Sequence, residues 1–254
     1  MPAPAPSPLP NATRPTRASS VEVLFFDVLG TIVDWRGSIA KETSSFLARH
    51  GASHIDAHVF ADAWVGRYAG SIEPVRSGRR PFVALDVVNM ENLQACLQEF
   101  GLDPAALPRD EVEQLNRAWH RLQPWPDSVA GLTALKQRFI VAPLSDGNTR
   151  LLVNMAKHAG LPWDTILGAD VPCAYKPMPK VYLHACELLG VKPEQAMLVA
   201  AHPYDLDAAR RCGLQTAYVV RANAQDPSKA TQAQQTAGWD YTASDLIELS
   251  ATLT

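Results

Sequence analysis

The sequence predicts an α/β protein with a Rossmann-like parallel sheet and a helical segment inserted after the first strand. Three observations predict it. A strand-like run over residues 21–26 stops at Asp27 and passes into a glycine-containing loop, as a strand buried on both faces does. A long stretch with helical spacing and no strand pattern follows, over residues 37–127. Beyond Pro126, strand-like and helix-like segments alternate, and repeated βα units imply a parallel sheet with right-handed crossovers.

The first strand, Val-Glu-Val-Leu-Phe-Phe, is rich in β-branched and aromatic residues. In the helical stretch, apolar residues recur at Phe60, Ala61 and Trp64, then at Leu93, Cys96, Leu97 and Phe100. That spacing gives a helix one apolar face. A further helix is expected over residues 112–122. After Pro126 come a helix at 130–136 and a strand at 139–144 that ends at Ser145-Asp146-Gly147-Asn148. A helix at 149–159, a short strand at 165–167, a helix at 179–189 and a strand at 197–201 follow. A helix at 206–212 and a strand at 216–220 complete the pattern. Gly160, Gly190 and Gly213 stand where helices are expected to stop.

Composition excludes several classes. The 254 residues are 47% hydrophobic and 19% charged, as in a globular protein, and the formal net charge of -3 offers no nucleic-acid footprint. No run approaches the roughly 18 apolar residues of a membrane span. The four cysteines, Cys96, Cys173, Cys186 and Cys212, form no C-x-x-C pair. They suit a reducing cytoplasm and not a zinc site. Residues 1–20, rich in Pro, Ala and Ser, lack the apolar core of a secretory signal and read as a disordered leader.

Ligands of such sheets bind at the carboxyl ends of the strands. Four polar clusters fall there: Asp27, Ser145 with Asp146, Lys176, and the segment from His202 to Asp205. A carboxylate ending a buried apolar strand is costly unless it caps, pairs or reacts.

The segment Phe26-Asp27-Val28-Leu29-Gly30-Thr31-Ile32-Val33-Asp34-Trp35-Arg36 resembles the first motif of the haloacid dehalogenase superfamily. Ser145 resembles its second motif, Lys176-Pro177 its third, and Ala200-Ala201-His202-Pro203-Tyr204-Asp205 its fourth. The order is right over about residues 21–245, and the likeness is greatest to the type II 2-haloacid dehalogenases. The resemblance implies a catalytic core over residues 21–35 and 128–254, with a helical cap over residues 36–127. It implies that Asp27 attacks the carbon alpha to a carboxylate, that Lys176 holds Asp27 ionised, and that Ser145 bonds the nucleophile or the substrate. Asp205 is expected to place or activate the hydrolytic water. Around the substrate it implies Leu29, Thr31, Trp35, Arg67, Asp146, Tyr182, His202 and Tyr204. The expected partners are a small anionic haloacid and a halide ion, with a homodimer implied by the family and no cofactor.

Leu29 separates the chemistries. Superfamily phosphatases carry an acid two places after the nucleophile, to protonate an alkoxide and help hold magnesium. A halide needs no proton, so Leu29 favours metal-independent dehalogenation over the alternative, a small-molecule phosphatase. Two positions depart from the type II pattern. Val65 follows Trp64 where relatives carry an arginine for the substrate carboxylate and halide. Arg67 is nearby but turned by about 200° on a helix. Asp146 stands where asparagine is usual. Both changes weaken the hold on an anion, so a shifted substrate or a degenerate member is the other alternative. Arg76, Arg79 and Arg80 read as solvated. His202 replaces an asparagine of some relatives and could donate to a halide, fluoride included.

Overall fold

The structure is a computed structural model that describes residues 20–221 and 238–253. Apart from Ser20, the expected leader lies outside those residues. Five strands form one sheet in the order β4-β1-β5-β6-β7. They are β1 (Val23–Phe26), β4 (Ile140–Pro143), β5 (Ala196–Ala200), β6 (Gln215–Val219) and β7 (Tyr241–Ala243). Every pairing is parallel. β1 lies between β4 and β5, with Phe26 opposite both Pro143 and Val199. All four residues of β1 are buried, which explains why its sequence shows no alternation.

Helices α6 (Ser128–Leu135), α7 (Thr149–Ala159), α8 (Pro179–Leu188), α9 (Pro203–Arg211) and α10 (Leu246–Leu253) flank the sheet. Two apolar clusters result, one containing Leu24 and Phe26 and the other Val23 and Phe25. β1 feeds both, because successive side chains point to opposite faces. α6 and α10 touch so closely that a Cβ on Gly131 would stand 2.4 Å from Cβ of Leu246.

Between β1 and α6 lies a layer of helices: α1 (Trp35–Arg49), α2 (Ala57–Gly66), α3 (Tyr68–Arg76), α4 (Leu85–Glu99), α5 (Arg109–Asn116) and a 3₁₀ helix at Arg117–Arg121. Asp34 caps α1 by accepting from the Gly37 backbone, and Asp56 caps α2. Aromatic side chains fill the layer. Phe60 meets Trp64 and Phe100, and the Trp64 and Trp119 rings stand edge to face with centroids 5.5 Å apart.

The structure corrects three expectations. The strand expected at residues 165–167 is a single bridge between Leu144 and Leu167; the following residues turn at once toward the Lys176 loop. The helical stretch is not free of strand: β2 (Val33–Asp34) and β3 (Gln123–Pro124) form a small antiparallel sheet where the chain enters and leaves it. Two-residue strands carry no periodicity. β7 and α10, outside the expected pattern, complete the sheet edge and cover it. Among the described residues no helix is long and apolar enough to cross a membrane.

Candidate active site

The carboxyl ends of three adjacent strands, β4, β1 and β5, deliver the polar groups. The Asp27 backbone N–H donates to Val199 on β5 at 3.0 Å, and Leu144 N–H donates to Phe26 at 2.7 Å. Asp27, Ser145 and His202 therefore emerge side by side. Gly30 turns the chain after β1 at φ 87°, a left-handed conformation that favours glycine. The Trp125 indole donates to the Gly30 carbonyl, and Ser128 Oγ to Ile32. Arg221 donates to the Thr31 carbonyl and makes a bidentate pair with Asp127. The loop behind Asp27 is thus fixed from several sides.

Asp27 is 7% exposed. Lys176 Nζ lies 3.1 Å from its Oδ1, while Oδ2 accepts from Thr31 Oγ1 at 2.6 Å and from His202 Nδ1 at 3.0 Å. Burial pushes the carboxyl upward, but the charges of Lys176 and His202 and the bonds from His202 and Thr31 outweigh it. Asp27 is held well below the usual carboxylate range. His202 is raised above its ordinary value: burial opposes the charge, and the Asp27 carboxylate more than offsets that. Lys176 is raised too, against burial, by Asp205, Asp27 and Asp146. The result is an ionised carboxylate between the Lys176 ammonium and an imidazole whose protonated form it favours.

Above Asp27 lies a cavity of about 170 Å³. Asp27, Leu29, Ser145, Asp146, His202 and Tyr204 line its sheet side. Trp35, Trp64, Val65, Tyr68, Leu85, Asn89 and Trp119 line the helical side. Leu29, Trp35, Asp146, His202 and Tyr204 therefore stand where a substrate could touch them, with the half-exposed Tyr204 at the mouth. Ser145 lines the cavity, but its Oγ accepts from Gly147 N–H and does not reach Asp27.

Four residues stand elsewhere than expected. Thr31 is fully buried beneath the cavity. It donates to Asp27 and accepts from Ala201 N–H, so it aims the carboxylate instead of touching a substrate. Tyr182 is equally buried, and its hydroxyl donates to Asp205 Oδ1. Asp205 takes Lys176 on its other oxygen and is fully buried. With both oxygens engaged, it anchors the ammonium and has no free edge for water. Arg67 pairs with Glu99 and stays outside the cavity. Arg76, read as solvated, donates to the Lys176 carbonyl, and Arg80 pairs with Glu91. Phe82 does not reach the cavity but packs on Tyr175.

The donor set does not suit a divalent cation. Both oxygens of Asp205 are committed to Lys176 and Tyr182, Asp27 Oδ2 is taken by Thr31 and the His202 imidazole, and position 29 supplies an apolar side chain. Magnesium favours several free hard oxygens.

Sequence reading missed Tyr68, Asn89, Trp119 and Arg221, which lie far from the motifs. Tyr68 on α3 donates to Asp146 Oδ2, and Asp146 Oδ1 accepts from Lys176 N–H. Burial raises the Asp146 carboxyl to about 6, against the charge of Lys176 and these two bonds. A raised carboxyl binds protons more tightly folded than unfolded. Stability is therefore full below the ordinary value of 3.8 and falls as pH rises to about 6. Asp146→Asn can keep both partners, since its oxygen accepts from Lys176 and its amide donates to Tyr68. We expect it to stabilise the protein at pH 8 by roughly 2–3 kcal/mol and to change little at pH 4. Urea unfolding at the two pH values measures this; equal gains at both would contradict it.

A five-stranded parallel α/β fold with an ionised carboxylate, a buried lysine and an imidazole at the sheet's carboxyl edge defines a hydrolase-like α/β protein. The chain matches the model of the haloacid dehalogenase-like hydrolase family over residues 21–213. The (S)-2-haloacid dehalogenase 1 of Pseudomonas sp. (strain CBS-3) is 29% identical over 230 residues, 85% of this chain and 92% of that one. The solved defluorinating L-2-haloacid dehalogenase Rha0230 superposes with TM-score 0.89 at 46% identity, covering 92% of this chain and 95% of its own. The L-2-haloacid dehalogenase PA0810 gives TM-score 0.85 at 41% identity, covering 92% and 98%. The chain belongs to the haloacid dehalogenase-like hydrolases.

Proposed function

We propose that this hydrolase of carbon–halogen bonds converts short 2-haloacids to 2-hydroxy acids through an ester on Asp27. Haloacetates fall in the range, fluoroacetate included. One observation carries the reading: Asp27 is buried, held ionised and flanked by the Lys176 ammonium and the His202 imidazole, with leucine where a phosphatase needs an acid. A carboxylate so held is a nucleophile, and a halide leaves without a proton.

In the first step a carboxylate oxygen of Asp27 bonds to the substrate carbon, and the carbon–halogen bond breaks with its electron pair on the halide. The carbon is inverted. Ser145 and His202 meet the substrate carboxylate, and Trp35 and Tyr204 enclose its carbon chain. Esterification removes the negative charge that raises His202, so its imidazole then gives up its proton to solvent, the one proton released with the halide. In the second step water adds to the Asp27 carboxyl carbon while His202 takes a water proton. The substrate oxygen leaves as alkoxide and receives that proton. The second water proton, left on the new Asp27 carboxyl, passes to His202, so the carboxylate is restored with one oxygen from water beside a protonated imidazole. Lys176, anchored by Asp205 and Tyr182, keeps the carboxylate aimed throughout. Helices α1 to α5 act as a cap over a core of residues 21–35 and 128–254, and the cavity of about 170 Å³ suits a short acid.

The test incubates the protein with chloroacetate, fluoroacetate and each enantiomer of 2-chloropropionate in EDTA, and measures halide. Release is expected to survive the chelator. A single turnover in ¹⁸O-water is expected to place label in Asp27. Label in the hydroxy acid alone would mean direct attack by water and sink the ester.

A further inference from the structure

Two buried donors in the cavity wall have no acceptor. The side-chain amide nitrogen of Asn89, on α4, and the indole nitrogen of Trp119, in the 3₁₀ helix, lack any hydrogen-bond partner. Their residues are 5% and 4% exposed, and both line the cavity. Buried polar groups are nearly always bonded, so each orphan asks for a reason. Two in one wall mark a place that an acceptor fills. Trp64 between them is different. Its indole N–H donates to the Asn89 backbone carbonyl at 2.9 Å, and its ring meets Trp119 edge to face. These contacts hold the Asn89 backbone and the Trp119 ring in place.

We propose that Asn89 and Trp119 bind the halide as it leaves, in place of the arginine that the family pattern puts at position 65. The proposal rests on the dehalogenase reading and names its leaving-group site. Direction favours it. In-line displacement sends the halide away from Asp27, which lies on the sheet side, and toward the helical wall. Chemistry favours it too. Trp64, Val65 and Leu85 make the surroundings apolar, and neutral N–H groups there suit a large, weakly hydrated anion. A substrate carboxylate finds Ser145 and the His202 imidazolium on the other side. Chloride and bromide fit this pair better than fluoride, which gives up more hydration and needs a stronger donor. A neutral pair also lets the product go, since no salt bridge holds it.

The experiment measures binding of sodium bromide to the full chain by NMR line broadening, with acetate as the carboxylate probe. Asn89→Leu removes one donor. Trp119→Phe removes the other, keeps the ring against Trp64, and tests the pair should the first variant fail to fold. Each is expected to weaken bromide about tenfold, the worth of one hydrogen bond to a charge, and to leave acetate unchanged. Unchanged bromide binding overturns the proposal; so does a parallel loss of acetate, which would make the pair a carboxylate site. An active wild-type enzyme that binds no bromide also overturns it, and leaves the dehalogenase reading intact. Bromide binding that needs both residues supports the pair even where no haloacid is turned over, a result that would sink the dehalogenase reading alone.

Discussion

Asp27→Asn is expected to lower halide release by on the order of 10⁴-fold or more while leaving the protein folded. An amide is a far poorer nucleophile than the ionised carboxylate, and no other carboxylate can take over. Asp205 has both oxygens committed, and Asp146 is bound by Tyr68 and the Lys176 backbone. The fold survives because Lys176 keeps Asp205 as its partner. Halide release and a thermal melt, run side by side, check both halves. Substantial residual turnover in a folded variant would remove Asp27 from the chemistry.

Lys176→Met carries the largest expected effect on stability. Lys176 is 1% exposed and joins two buried carboxylates, Asp27 and Asp205. Methionine fills the space and leaves both acids without their cation. Removing one partner of a buried ionic network costs about 3–5 kcal/mol. Without the ammonium, burial raises the two carboxyls in the folded state, so one takes up a proton as pH falls. The variant should therefore be weakest at pH 8 and recover part of its loss at pH 5. Activity should vanish at both. Urea unfolding at the two pH values is the measurement. A loss that is small and independent of pH would mean that the lysine is not the partner on which these acids depend.

Much of the molecule was legible along the chain. The run ending at Asp27 reads as a buried parallel strand, and β1, buried along its length, is one. The alternation after Pro126 reads as βα units, and β4, β5 and β6 with their helices follow it. Asp27, Lys176, Asp205, Ser145 and His202 stood out because strand ends in a parallel sheet share one edge. The order β4-β1-β5, which brings Asp27, Ser145 and His202 together, was not legible. Nor was the single bridge at Leu167, where an apolar triplet met no neighbouring strand to extend it.

The sequence by itself determined the fold class and the family, and it marked the polar residues that end the strands, because periodicity and motif spacing are properties of the chain alone. Tertiary structure alone decided which of them face the cavity. Thr31 and Tyr182 turned out to aim Asp27 and Asp205, and Arg67 was drawn off to Glu99. Asn89, Trp119 and Tyr68 came to the site from helices that carry no motif. A side chain's partner depends on distances across the fold, over separations that spacing along the chain does not encode. Tyr68 and Asp146 are 78 positions apart and joined by a hydrogen bond, and only packing of the helical layer on the sheet brings them together.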